Sequence, residues 1–146
     1  MRAVVQRVLS ASVTVDGEVV GRIGRGLVAF VGAEAPDTDA DMSYVIGKIV
    51  GLRVFPDESG RMARALADVG GALLFVTQFT LFGDVKKGNR PSFTRAMPPG
   101  DAEPFLARAV ELARASVPVE TGRFGADMKV LVENDGPVTI LLDSRT

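Results

Sequence analysis

Apolar and polar positions change period several times along the chain, and each change marks an element. Residues 2–9 (RAVVQRVL) form a valine-rich strand candidate. The next stretch, SVTVDGEVVG, sets Val13 and Val15 before Asp16-Gly17 and Val19 and Val20 after it. Asp-Gly takes the positive φ angles of a two-residue turn without difficulty, so a β-hairpin is predicted. The continuous apolar run at 26–32 (GLVAFVG) is consistent with a buried strand. Over 37–50 the period lengthens. Met42, Val45, Ile46 and Ile49 recur at i, i+3, i+4 and i+7, behind three acids (Asp37, Asp39, Asp41) that suit the positive end of a helix.

Gly51 is placed to close that helix, Leu52–Phe55 reads as a short strand, and Pro-Asp-Glu-Ser-Gly reads as a turn. Residues 72–81 (ALLFVTQFTL) have the strongest strand character in the chain. From Asp84 to Gly100 the composition is polar, with Gly88, Pro91, Pro98 and Pro99, which predicts a long loop. A second helix is predicted over 101–116, with Phe105, Leu106, Ala109, Leu112 and Ala113 on one face. Two last strands, Met128–Glu133 and Val138–Leu142, flank Asn134-Asp135-Gly136-Pro137. No repeat, low-complexity tract or linker interrupts residues 1–146. Seven or so strands against two one-sided helices predict a single α/β domain, α+β-like, with the two main helices packed on one side of the sheet layers.

Composition narrows the chemistry. The chain is 47% hydrophobic and 24% charged, proportions of a globular protein. No apolar run approaches the ~18 residues of a membrane-spanning helix, and the opening apolar stretch is too short for a signal peptide. The lack of cysteine rules out a disulfide framework and fits a cytoplasmic setting. Cysteine and histidine are both absent. That removes Ser-His-Asp and Cys-His catalysis, a thiolate nucleophile, and any zinc site built on imidazole or sulfur. A hydrolase of this composition must find its base in a carboxylate, a lysine, a terminal amine or the substrate itself. The net charge of −1 argues against a uniformly basic surface that coats nucleic acid, while leaving room for a local patch.

Four segments could carry chemistry. Thr77-Gln78-Phe79-Thr80 ends a buried strand, where side chains and backbone N–H groups can face a ligand, although Thr and Phe also simply favour strands. Asn134-Asp135-Gly136-Pro137 is either an ordinary hairpin turn or a rigid element that lets backbone approach a ligand closely. Lys86, Lys87, Arg90 and Arg95, with Phe93 nearby, form either a solvated loop or a phosphate-gripping patch. Thr121-Gly122-Arg123-Phe124 is uninformative alone.

Together these segments resemble one family. TQFTL at 77–81, RPSF at 90–93, TGRFGADM at 121–128 and NDGPVT at 134–139 stand in the order and spacing of the D-aminoacyl-tRNA deacylases. The opening VVQRVLSASVTVDGE is similar too, so the resemblance runs from Met1 to about Leu142. It implies mixed β-sheets in β/β/α layers and a homodimer with two active sites at the subunit interface. It implies that Thr77, Gln78, Phe79 and Thr80 line the pocket for the terminal adenosine and its ester. Gly136-Pro137, as a Gly-cisPro dipeptide, would reach into the partner's site and exclude L-amino acids. Arg7 would brace that dipeptide, Met128 would join the substrate-binding set, and Lys86, Lys87 and Arg90 would meet RNA. The implied partner is tRNA carrying a D-amino acid or glycine, with no DNA, no membrane, no cofactor and no metal. Position 77, usually serine in the family, is Thr77 here, and Ala63 stands where a more polar residue is usual.

The missing histidine then meets a substrate that supplies its own activation. An aminoacyl ester beside a vicinal ribose hydroxyl needs positioning and oxyanion donors more than a titrating side chain, with amides around Phe79 and Thr80 as the donors. The alternative makes Thr80 a covalent nucleophile, but no evident base activates it. Other readings are a non-catalytic RNA-binding module using the basic loop and Phe93, a ligand-binding or structural dimer, and a deacylase for a wrong L-amino acid.

Overall fold

Asp16 and Gly17 both take positive φ (50° and 79°) and fold β1 (Arg2–Val15) back along β2 (Glu18–Ile23), with Val15 opposite Glu18. The computed structural model describes residues 1–146. Beyond β2 the chain passes Gly24-Arg25 and continues along the same edge of β1 as β3 (Gly26–Gly32), from Gly26 opposite Val8 to Gly32 opposite Arg2. This continuous pairing makes β1 a single 14-residue strand, longer than the 2–9 segment that the pattern marked. After α1 (Asp39–Gly51) and a small hairpin of β4 (Phe55–Pro56) and β5 (Met62–Arg64), β6 (Ala72–Thr77) adds parallel to β3. α2 (Pro99–Arg114) leads to β7 (Val119–Thr121), parallel to β6. The last strand, β8 (Lys129–Asp143), runs antiparallel along the free edge of β1.

Two cores explain the layering. Ala3, Val5, Leu27, Val31 and Phe75 face the helices and meet Val45, Ile46, Ile49, Phe105 and Ala109. On the other face, Val8, Ala11, Val13, Val15, Ile23, Val28, Leu74 and Val76 form a second core. β3 and β6 therefore bury both faces, the reason their sequences are apolar without alternation. Around Val8 the register of β1 against β8 shifts, and with it the face to which odd positions point: Ala3 and Val5 serve the helical side, Ala11, Val13 and Val15 the second core. β2 curls over β6 and β7 to close that core. A side chain at Gly21 would collide with the Thr121 carbonyl, so the closure requires glycine. The result is a β/β/α domain with both helices on one side, and no helix is long and apolar enough to cross a membrane.

α1 begins after Thr38, whose N–H (2.8 Å) and hydroxyl (3.1 Å) donate to Asp41. The Ser144 hydroxyl also donates to Asp41, at 2.7 Å. These bonds, the Thr38 N–H first, hold the Asp41 carboxyl at about 2. Because the folded pKa lies below the ordinary value of about 3.9, the stability it contributes is complete above about pH 4. It is lost as pH falls through about 2. The melting-temperature gap between wild type and Asp41→Asn should therefore narrow steadily as pH falls over that window. A gap independent of pH would separate the carboxylate's charge from the helix's stability.

Five expectations need correction. Residues 72–81 are not one strand: β6 stops at Thr77, and Phe79–Phe82 form a 3-10 turn. The cause is tertiary, because Gln78 N makes a last ladder bond to Val31 O and β3 ends one residue later. The strand at Leu52–Phe55 shrinks to Phe55–Pro56, paired with a β5 that the pattern did not reveal. Val119–Thr121 is a short strand where none was expected. Asn134–Pro137 is no hairpin turn. Gln6 faces Thr139 while Val8 faces Asn134, so residues 135–138 stand opposite Arg7 alone and bulge out within one strand. α2 starts at Pro99, earlier than residue 101, since proline fits a helix's first position.

Candidate active site

Where β3 and β6 both end, the sheet leaves a cleft of about 580 Å³. Gly32 and Ala33 come from the end of β3, and Thr77, Gln78 and Phe79 from the end of β6. One wall is the polar loop at Phe93 and Ala96–Pro99, continued by Ala102 and Leu106 of α2; the opposite wall is Phe124–Met128. The loop wall is tied to β3 by Ala35 N to Arg95 O (3.2 Å) and Met97 N to Ala33 O (3.0 Å). At the mouth, Phe79 and Phe93 meet edge to face with centroids 5.1 Å apart, and they remain 58% and 38% exposed. Two flat apolar faces offered to solvent at a cleft entrance suit a planar ligand. Met128 packs over Gly122, where a Cβ would lie 2.5 Å from its sulfur, which accounts for the small residue in TGRFGADM.

Asp127 is the only titratable side chain lining the cleft, and Lys129 Nζ lies 3.4 Å from its carboxylate. Thr80 is exposed at the outer rim and is not part of the lining. The Gln78 side-chain amide donates to its hydroxyl oxygen. Under the rim, burial pushes the Glu34 carboxyl up, but hydrogen bonds and charge from Arg95 and Arg145 outweigh it and hold it below the usual range. Such a site can bind, orient and polarise; side-chain proton transfer has little to work with.

The remaining sequence candidates lie elsewhere in the chain. Gly136 and Pro137 are exposed on the β8 bulge, joined by a cis peptide bond, with Gly136 at φ +145°. The Asn134 side chain closes the base of the bulge, donating to Val138 O (3.1 Å) and accepting from Val138 N (2.8 Å). Arg7 donates from Nε to Asp135 O (2.9 Å) and from Nη1 to Val54 O (2.6 Å), linking the bulge to the chain before β4. None of Arg7, Gly136 and Pro137 lines the cleft of the same chain. Lys86, Lys87 and Arg90 sit exposed on a tip pinched off by paired bonds between Asp84 and Ser92 (2.8 and 2.9 Å). The fold thus gathers Thr77, Gln78, Phe79 and Met128, and leaves the other candidates outside. Sequence reasoning did not single out Gly32, Ala33, Met97 or Asp127; only the TGRFGADM segment carried a signal for the last.

The model of the family described as D-Tyr-tRNA(Tyr) deacylase matches residues 4–143. A protein of Sorangium cellulosum (strain So ce56) named D-aminoacyl-tRNA deacylase is 63% identical, covering 99% of this chain and 98% of its own. The solved structure of a c-Myc DNA Unwinding Element Binding Protein is similar at TM-score 0.95 and 45% identity, covering 100% of both chains. A probable eukaryotic D-amino acid tRNA deacylase superposes at TM-score 0.84 over 97% of both chains; at 18% identity that likeness concerns the fold alone.

Proposed function

The chain belongs to the D-Tyr-tRNA(Tyr) deacylase family, and from that premise we propose that it hydrolyses the ester joining a D-amino acid to tRNA. The observation that carries the mechanism is a strand-end cleft with one titratable side chain and a mouth of two exposed aromatics. The terminal adenosine enters against Phe79 and Phe93, and the ester carbonyl lies at the outer rim of the cleft, over the amides of Phe79 and Thr80. These are the first amides of the 3-10 turn, which have no partner inside it. Water attacks the carbonyl carbon, the oxyanion is held by those amides, and the carbon–oxygen bond to the ribose breaks. The vicinal ribose hydroxyl relays the proton to the departing oxygen, so amino acid and tRNA leave without a protein base. Thr80 is not the nucleophile in this reading, since its oxygen accepts from Gln78 and no base adjoins it.

Selection against L-amino acids falls to Gly136-Pro137. β8 pairs on one edge only and carries two exposed leucines, Leu131 (73%) and Leu141 (77%), so it offers an open strand edge that a second copy would cover. In such a homodimer the bulge of one chain serves as a backbone wall in the other's cleft, which tolerates a hydrogen or a D side chain and rejects an L one. Glycyl-tRNA is then also a substrate. Lys86, Lys87 and Arg90 hold tRNA phosphates. With matched substrates, D-aminoacyl- and glycyl-tRNA should be cleaved and L-aminoacyl-tRNA spared. Asp127→Asn and Thr80→Ala should each stay within about tenfold of wild type. A loss near 10³-fold, about 4 kcal/mol, would make that side chain a base or nucleophile. No ester hydrolysis at all would favour an RNA-binding module.

A further inference from the structure

The 3-10 turn that begins at Phe79 ends on Phe82, whose ring is 1% exposed. Two guanidinium groups lie over that ring. Arg2 Cζ is 4.8 Å from its centroid and Arg95 Cζ 5.6 Å. Each is fixed by a separate anchor. Arg2 donates from Nε to Asp143 of β8 (2.8 Å) and from Nη1 to the Leu81 carbonyl inside the turn (3.1 Å). Arg95, on the loop wall of the cleft, donates twice to Glu34 Oε1 (3.1 and 2.9 Å), while Arg145 holds the other oxygen of Glu34 at 3.1 Å. The turn has no strand to pair with and is closed by short-range bonds, among them Leu81 N to Gln78 O (3.3 Å) and Gly83 N to Thr80 O (3.0 Å). A segment so weakly self-supported keeps its shape only if something outside grips it.

We propose that Arg2 and Arg95 are positioning residues for hydrolysis, gripping Phe82 so that the turn presents the Phe79 and Thr80 amides in a fixed direction. This rests on the deacylase reading above. The two grips reach the ring from different parts of the fold, Arg2 from β1 and β8 and Arg95 from the cleft wall. Together they lock the turn to both. A planar guanidinium can stack on an aromatic face and donate in-plane at the same time, so lysine cannot replace either residue fully. Loosening the turn leaves the cleft's apolar walls intact but spreads the directions of the amides, which weakens transition-state binding more than substrate binding.

Arg2→Met and Arg95→Met, with Arg95→Lys as a milder variant, should each lower kcat on D-aminoacyl-tRNA by about tenfold with KM within twofold. Arg95→Lys should fall between Arg95→Met and wild type. The double Met variant should lose less than the product of the single losses, because both grips act on one ring. Arg108→Met is the control, since Arg108 stacks on Phe105 of α2 (5.5 Å) away from the turn. Amide hydrogen exchange at Phe79–Gly83 should speed up in the Arg2 and Arg95 variants and not in Arg108→Met. Unchanged exchange in this segment overturns the grip whatever the activity, as does unchanged kcat in folded variants of an active enzyme. Inactivity of the wild type on D-aminoacyl-tRNA would instead refute the deacylase reading, leaving hydrogen exchange to judge the grip alone.

Discussion

Gly32→Ala should lower kcat/KM for D-aminoacyl-tRNA at least 100-fold and also cost about 1–3 kcal/mol of stability. A Cβ built there lies 2.6 Å from the Gln78 carbonyl oxygen and 3.3 Å from the Phe82 ring. The first of these is backbone, so no rotamer change relieves it. The ends of β3 and β6 must separate, and they carry the cleft floor and the turn between them. A displacement of even an ångström between ester and amides forfeits about two orders of magnitude in rate. Kinetics with matched substrates and a thermal melt test this together. Near-normal turnover in Gly32→Ala would mean that the turn adapts, and that its placement matters less than its presence.

Arg7→Met should cost about 2–4 kcal/mol and raise the relative rate on L-aminoacyl-tRNA. The side chain is 12% exposed and satisfies two carbonyls, Val54 O and Asp135 O. An apolar replacement fills the space but leaves both acceptors unpaired, at about 1–3 kcal/mol for each buried one. Losing the Asp135 bond also frees the bulge that carries Gly136-Pro137. Arg7→Lys should rescue little, because one ammonium cannot reproduce a fork aimed at two separate carbonyls. The readouts are melting temperature and the D-to-L ratio of kcat/KM. Lower stability with an unchanged ratio would remove the bulge from chiral selection.

Local chemistry made part of this fold legible. Asp16-Gly17 states its own backbone angles, and the spacing Met42-Val45-Ile46-Ile49 states a helical face; neither depends on distant residues. The end of β6 was hidden for the opposite reason. TQFTL continues with strand-favouring residues, yet the strand stops because its neighbour β3 ends at Gly32. At β8 the same logic runs in reverse: Asn-Asp-Gly-Pro has the composition of a turn, and pairing with β1 on both sides keeps the strand in one direction. β7 was too short to show a period. In the cleft, Thr77, Gln78 and Phe79 were legible as a strand-end motif and Met128 through resemblance. Asp127 and Met97 line it only because chain folding returns them there.

The pinched base of the basic tip separates two kinds of change. Asp84 and Ser92 close residues 85–91 with two backbone bonds, so the cleft wall that follows at Phe93 begins from a fixed point. No buried side chain lies within the tip. Lengthening it therefore costs chiefly closure entropy, about 0.6 kcal/mol per doubling. The tip is a natural site for grafting: its length can be redesigned around the three cations while the wall it leads into keeps its shape.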